Sequence, residues 1–542
     1  IPAQFSVLSK WTDSSIKWVL CQFQAGVSAY GSSTYYLKDT GAHTPSTSLI
    51  LTDGTNSITV NTGPLLFTIN KKQFNLFDEA WIDSKKIVSS SVENGLFVTD
   101  KNGKRYLFGT PTSVEIEESG PMRATIRLEG EHKQENGTAT IFNYQIRLQA
   151  YAGKSYIRCF YTFIILDKHC PIYFDDLDIS MKTQLALSGT RTFAIGGAND
   201  IVYSGQLTGT QSLYQTFDPI NLKDSQNIRY TGTIGEGTRS SGWVDSSDTQ
   251  MGLTVAVRDF WQFYPKKLSV SPDMINIGIY PEEFDYITLY SGDTKWREEY
   301  KIRSSRAKTH ELLYYFHSGN HEQAKSNDIQ KAFQKPLLAT ASPEWYCDSK
   351  AFGPLSPRDP VRFPFYESLV ENEMKNEFVN REYNGGYYGM FNYGDCGENF
   401  GWSGNCWINL QYDGGYAGFL QYARTGNRSY FDYGASAARH LMDVDVNHNS
   451  GRVYRSSKDN HDNSPEYYHI INECLTNYYF LTGDSRSLEV AKEIGTWCTQ
   501  AAKTNLDFFR RASERETAWH LMCLVSAYQA TGDTYYLDSA KL

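Results

Sequence analysis

The stretch Ser464-Pro465-Glu466-Tyr467-Tyr468-His469-Ile470-Ile471-Asn472-Glu473-Cys474-Leu475-Thr476-Asn477-Tyr478-Tyr479-Phe480-Leu481-Thr482-Gly483-Asp484 decides the fold class of the C-terminal part of the chain. Ser464 suits a helix N-cap, and Pro465 sits where a first-turn proline is tolerated. The spacing predicts a helix over 465–481. Ile470, Ile471, Cys474, Leu475 and Tyr478 form its apolar stripe. His469, Asn472, Glu473 and Thr476 form a polar stripe at i, i+3, i+4, i+7. That stripe reads either as the lining of a funnel or as a solvated outer face with an ordinary i, i+4 pair. Gly483 ends the helix, because glycine takes a positive φ without a Cβ clash. Thr482-Gly483-Asp484 recurs as Thr425-Gly426-Asn427 and Thr531-Gly532-Asp533, with separations of 57 and 49 residues. Residues 409–542 therefore read as three helical hairpins in series, a solenoid or closed toroid of paired helices.

Towards the N-terminus the period changes at Glu322. Ala324–Leu338 and Glu367–Val379 carry helical periodicity, and the Pro-rich piece from Pro343 to Pro364 reads as a loop. Residues 1–320 instead alternate with period two. Ile16–Phe23, Ser57–Asn61, Leu65–Ile69, Arg123–Glu129, Ala139–Leu148 and Ser155–Ile165 read as strands between Asp-Gly, Asn-Gly and Gly-Lys turns. The expected architecture is multidomain α+β, with antiparallel β-sandwich domains followed by an α/α toroid. Residues 1–42 would be the remainder of a small β domain. Residues 48–321 would form a β-supersandwich, and 322–542 a toroid with either an open ring or a clipped C-terminus.

With 542 residues the chain can bury several cores. A net charge of −9 argues against a nucleic-acid surface. Aromatics make up 14% of the chain and tyrosine alone numbers 38, which suits carbohydrate stacking as well as β structure. No run of eighteen apolar residues exists, so no membrane span is expected. The opening Ile1-Pro2-Ala3-Gln4-Phe5 is neither a start methionine nor a signal peptide. Nine cysteines allow pairs such as Cys396–Cys406 and Cys159–Cys170. Asn136-Gly137-Thr138 and Asn427-Arg428-Ser429 are glycosylation patterns, and a secreted or periplasmic location is expected.

Six ordered segments resemble the exo-rhamnogalacturonan-lyase-like family. Trp11-Thr12-Asp13-Ser14-Ser15-Ile16-Lys17-Trp18 is similar to its Trp-x-Asp-Gly-Ser-x-Lys-Trp signature, with Ser14 in place of Gly. Arg258-Asp259-Phe260-Trp261-Gln262 with Pro265-Lys266, and Ala307-Lys308-Thr309-His310-Glu311, resemble its central motifs. Phe391-Asn392-Tyr393-Gly394-Asp395, Arg439–His448 and His469–Glu473 resemble its helical domain. Ile471 stands there for a usual Trp and Cys474 for a usual Gly.

The resemblance implies a lyase acting by β-elimination on a polysaccharide of rhamnose and a uronic acid, rhamnogalacturonan first and ulvan second. Such an enzyme neutralises the uronate carboxylate, removes the C5 proton and protonates the leaving O4. His461 or His469 is the candidate base and Tyr467 or Tyr468 the candidate acid. His440 and His448 are further candidates, although His440 at the end of an Ala-rich helix also suits a packed dipole partner. Arg452, Arg455 or Arg515 would hold the carboxylate. Asn392, Asp395, Trp402, Trp407, Asn409, Tyr412 and Glu473 complete the expected substrate contacts. Lys308 and His310 read as packing residues, and Asp443 and Asp445 as structural. No cofactor and no catalytic metal are expected, since no His-x-His or His-Glu-x-x-His spacing occurs. A structural Ca²⁺ would have Asp395, Glu398 or Asp413 as ligands.

Two other classes fit the same residues. A glycoside hydrolase on the same toroid would use paired carboxylates drawn from Asp395, Asp413, Asp443 and Glu473. A non-catalytic glycan-binding protein would keep the groove without the base.

Overall fold

The computed structural model describes residues 1–28, 31–38, 45–166, 168, 172–182, 190–217, 226–230, 237–281, 300–302, 304–319, 322–374, 388–395, 397–400, 404–408, 410–454, 467 and 469–542. The N-terminal part is antiparallel β throughout its described strands. A hairpin of β1 (Ala3–Lys10) and β2 (Ile16–Phe23) comes first. Its turn places Ser14 at φ 71°, the left-handed conformation that glycine takes without strain. A five-stranded sheet between Ile50 and Val88 comes next. A seventeen-stranded sheet system then runs from Gly95 to Ser318.

Four strands of that system form one continuous run: β3 (Arg123–Gln134), β4 (Thr140–Tyr151), β5 (Tyr156–Ile164) and β6 (Ala307–Ser318). They pair in the order β3-β4-β5-β6, with Leu128 opposite Ile146, Leu148 opposite Cys159, and Cys159 opposite Leu312. Alternate residues such as Phe142, Tyr144, Ile146 and Leu148 are buried, and their core joins the sheets into sandwiches.

The C-terminal part is helical. Its described helices are α1 (Gln323–Gln334), α2 (Pro343–Asp348), α3 (Pro364–Glu373), α4 (Gly414–Thr425), α5 (Arg428–His440), α6 (Glu473–Thr482), α7 (Ser485–Thr504), α8 (Leu506–Phe509), α9 (Glu514–Thr531) and α10 (Thr534–Ala540). A π-helical turn, Leu441–Asp445, extends α5. The three Thr-Gly turns join α4 to α5, α6 to α7 and α9 to α10. Gly426, Gly483 and Gly532 sit at φ near 70°. Asn427, Asp484 and Asp533 then cap the next helix with their side chains. Leu410, Phe419, Tyr422, Ile470, Leu475, Ile494 and Leu524 lie in the helical core.

Three sequence expectations need correction. The loop from Pro343 to Pro364 holds α2, because Ser342 caps it through the Trp345 amide and Pro343 fits its first turn. The helical hairpins expected over 409–542 do not include residues 410–413: Leu410, Tyr412 and Asp413 are left-handed at φ 53°, 71° and 51°. The helix expected over 465–481 begins only at Glu473, with His469 left-handed at φ 71° and so outside it. The cause is tertiary. Asn472 is fully buried and its amide donates to the carbonyls of Ala491 and Cys523, which pins the chain before the first helical turn.

Cys159 is a buried free thiol. Cys170 and Cys396 lie outside the described residues, as does the side chain of Cys406. No described helix is long and apolar enough to cross a membrane.

Candidate active site

The residues expected to act separate into three places. The first is sealed. His440 has 0% exposure, and its Nε2 lies 3.2 Å from Asp445 and 3.9 Å from Asp395. Asp395 also accepts the Leu410 amide at 3.1 Å. Asp443 is held by the Thr309 amide and hydroxyl, both at 2.8 Å, with Lys308 at 3.9 Å. These groups join the helical part to β6 and are buried there.

The second place lies around the loop after the π-turn. The His448 side chain is buried, with Nδ1 3.0 Å from Glu493 and Nε2 3.4 Å from the Asp443 carbonyl. Arg452 lies 5.6 Å above the Trp497 ring. The Tyr467 ring packs against Trp497, Phe508, Phe509 and His520.

The third place is where the first turns of α4 and α6 meet. Asp413 precedes α4 and accepts the Tyr416 amide at 3.0 Å and the Cys474 amide at 3.1 Å. One buried carboxylate thus caps two helices, and both N-terminal dipoles favour its charge. Glu473, the first residue of α6, stands beside it. Tyr412 is 60% exposed between buried Gln411 and Asp413, and its ring meets the His469 ring edge-on at 5.5 Å. Four residues here are strained into the left-handed region, three in the 410–413 turn and one at 469. Strained backbone of this kind gathers at functional sites.

The electrostatics of this third place are unusual. Burial raises the Asp413 carboxyl to about 6 against the pull of its backbone hydrogen bonds. Burial and the neighbouring Asp413 charge raise Glu473 to about 7. The Tyr416 phenol is pushed up to about 12, mainly by burial and then by both acids. Two neighbouring acids whose pKa values are both raised have the character that acid/base work requires.

Asn392 donates to the Tyr388 carbonyl at 3.4 Å, away from this pair. Arg515 is exposed on the first turn of α9. His461, Tyr468, Trp402, Asn409 and Arg455 lie outside the described residues, as do the side chains of Trp407 and Glu398. Among the described residues, no group of three or more His, Cys, Asp or Glu is arranged to hold a metal ion. Sequence reasoning missed Glu493 and Trp497. The signal was present: Glu489, Glu493, Trp497 and Gln500 recur at helical spacing on one face of α7.

Comparison with known proteins adds two partial matches. Residues 49–188 match the central beta sandwich domain of PcRGLX-like proteins. Residues 413–542 match the catalytic domain of beta-L-arabinofuranosidase, GH127. The uncharacterized protein YetA of Bacillus subtilis (strain 168) is 24% identical over 575 residues, 89% of this chain and 66% of that relative. The chain thus spans about two thirds of its length. Solved structures resemble the chain only loosely. A galactose mutarotase related enzyme from Lactobacillus acidophilus has a TM-score of 0.29 at 9% identity, covering 49% of this chain and 99% of its own. A putative aldose 1-epimerase from Klebsiella pneumoniae has 0.33 at 12%, covering 53% and 86%. An alpha-N-acetylgalactosaminidase from Bifidobacterium bifidum has 0.33 at 7%, covering 53% and 40%.

The hydrolase match starts at Asp413 and contains Glu473. It overturns the assignment to a lyase family, and with it β-elimination and rhamnogalacturonan or ulvan as substrate. Of the histidines named for that reading, His440 is sealed, His448 is tied to Glu493 and His469 stands outside α6, while His461 lies outside the described residues.

Proposed function

We propose that this chain is a glycoside hydrolase that releases terminal L-arabinofuranose from a glycan, with Glu473 as proton donor and Asp413 as its charged partner. The observation that carries this reading is the pair of raised carboxyls at the meeting of α4 and α6. The match of 413–542 to an arabinofuranosidase catalytic domain supports the sugar. The Asp413 charge is one cause of the rise at Glu473, so Asp413 is read as the group that ionises first.

Glu473 gives its proton to the glycosidic oxygen as the C1–O bond breaks. Positive charge grows on the sugar and is offset by Asp413 across a low-dielectric site. The Glu473 carboxylate then takes a proton from the water whose oxygen bonds to C1, and the acid is restored. Atoms and charge balance without a cofactor. Tyr412, exposed at the lip, offers its ring to the sugar face.

We read residues 322–542 as a catalytic α/α toroid, 48–321 as a supersandwich and 1–42 as the rest of a small β domain. A glycan substrate goes with a secreted or periplasmic setting. The test is release of arabinose from a chromogenic aryl β-L-arabinofuranoside by the wild type and by Glu473→Gln. Release that disappears in the variant supports the reading. Release that survives in it, or no release by either protein, overturns it.

A further inference from the structure

The helical core holds two thiols that face each other. Cys498 on α7 and Cys523 on α9 are both free, at 0% and 1% exposure. Their helices touch closely. A Cβ added at Gly495 would stand 2.9 Å from the Ala527 Cβ, so the two backbones approach as only glycine allows. One turn onwards on α7 and one turn back on α9 lead from that contact to Cys498 and Cys523. The Trp497 and His520 rings, centred 5.3 Å apart, meet in the same antiparallel register. The Cys523 and Cys498 side chains hydrogen-bond to each other. They are placed for a disulfide, which needs Cβ atoms about 3.5–4.5 Å apart. Cys474, in the same core, turns instead to the Gly434 carbonyl of α5 at 3.8 Å.

The pair lies under a structural anchor. The Asn472 amide donates to the Ala491 carbonyl at 3.3 Å and to the Cys523 carbonyl at 3.0 Å. One carbonyl belongs to α7 and the other to α9. A tie between these two helices therefore fixes both anchors of the residue that precedes Glu473.

We propose that Cys498 and Cys523 are a redox pair whose oxidised form is a disulfide stapling α7 to α9. The co-reactant is a small disulfide such as oxidised glutathione. One S–S bond forms between the two cysteine sulfurs and the S–S bond of the small disulfide breaks. The two cysteine hydrogens leave on the two thiols released. Burial raises the Cys523 thiol well above its ordinary range, so exchange is slow and proceeds when α9 opens from the core. An oxidising secreted or periplasmic setting favours the bridge.

The experiment holds the folded protein in oxidised glutathione until its free-thiol content is constant, with a second sample in dithiothreitol. Both are acid-quenched, alkylated, digested with trypsin without reduction, and mapped by mass. The expected result is a cross-link between peptides 493–503 and 516–541, each with one cysteine, in the oxidised sample and its loss in dithiothreitol. The oxidised form should also melt about 5–10 °C above the reduced form, a gain that Cys498→Ala removes. Cys498 and Cys523 both alkylated in the oxidised sample, or joined to other partners, overturns the pair. A melting gain as large in Cys498→Ala as in wild type overturns the staple. If that variant fails to fold, the map of the wild type decides alone.

Discussion

Glu311, on β6, faces three guanidinium groups. Glu473, at the start of α6, faces Asp413. Arg158 reaches Glu311 at 2.6 Å, Arg258 at 3.1 Å and Arg439 at 3.5 Å. These arginines hold the Glu311 carboxyl well below its ordinary range despite full burial. Glu473 has burial without such partners among the described residues and is raised to about 7. The same side chain is thus held as an anion in one region and held towards its protonated form in the other, where the proposed function uses it as proton donor. The first arrangement is a scaffold, since a buried ion network ringed by arginines titrates outside any working pH. The second stores no such pairing and is free to do chemistry.

The largest expected effect is on turnover. Glu473→Gln should lower kcat on an arabinofuranoside by about a thousandfold, the scale of a lost general acid, measured near neutral pH with folding checked by circular dichroism. Glu311→Gln should do the reverse. Arg158 and Arg258 would lose their carboxylate partner, while Arg439 keeps Asp259, and unfolding by denaturant should show a loss of about 3–5 kcal/mol. Asp413→Asn comes next. Its single carbonyl oxygen can serve only one of the Tyr416 and Cys474 amides, which use Oδ1 and Oδ2 of the carboxylate. One cap is lost and the other weakened, each worth about 1 kcal/mol, so its melting temperature should fall. Tyr412→Gly keeps the left-handed backbone and removes the ring; KM should rise about 3–10-fold with kcat nearly unchanged.

The two regions should also differ in the sign of their pH dependence. Glu473 has a folded-state value raised from 4.5 to about 7. Its protonated form is favoured by folding, so that contribution is present below 4.5 and is lost as pH rises through 7. Glu311 is depressed, so its contribution is present above 4.5 and is lost on acidification. Melting curves of Glu473→Gln should therefore lose less stability than wild type between about pH 5 and pH 8. Curves of Glu311→Gln should be flatter on the acid side.

This contrast explains what the sequence made legible. Period-two runs and Thr-Gly turns are local signals, and they revealed the strands and the α4–α5, α6–α7 and α9–α10 joints. The motifs around Arg258, Lys308 and Arg439 stood out only through their resemblance to those of a lyase-like family. They meet at the sheet–helix junction, where Arg258 binds Glu311 and Arg439 binds Asp259 at 3.2 Å. They drew attention to the scaffold and lent it a lyase's appearance. The carboxyl pair was less visible because it depends on a contact across 61 residues, Asp413 to the amide of Cys474. The helix expected from Pro465 hid it further, by placing His469 and Glu473 on one face. Only the tertiary hold on Asn472, through Ala491 and Cys523, moves the helix start to Glu473.

The most direct test of the account is the pH profile of kcat/KM on the aryl β-L-arabinofuranoside, for wild type and Asp413→Asn. The wild type should lose activity as pH rises through about 7, as Glu473 gives up its proton. In Asp413→Asn the neighbouring charge is gone, and that limb should move to lower pH. An upper limb at the same pH in both proteins would contradict the claim that Asp413 tunes Glu473.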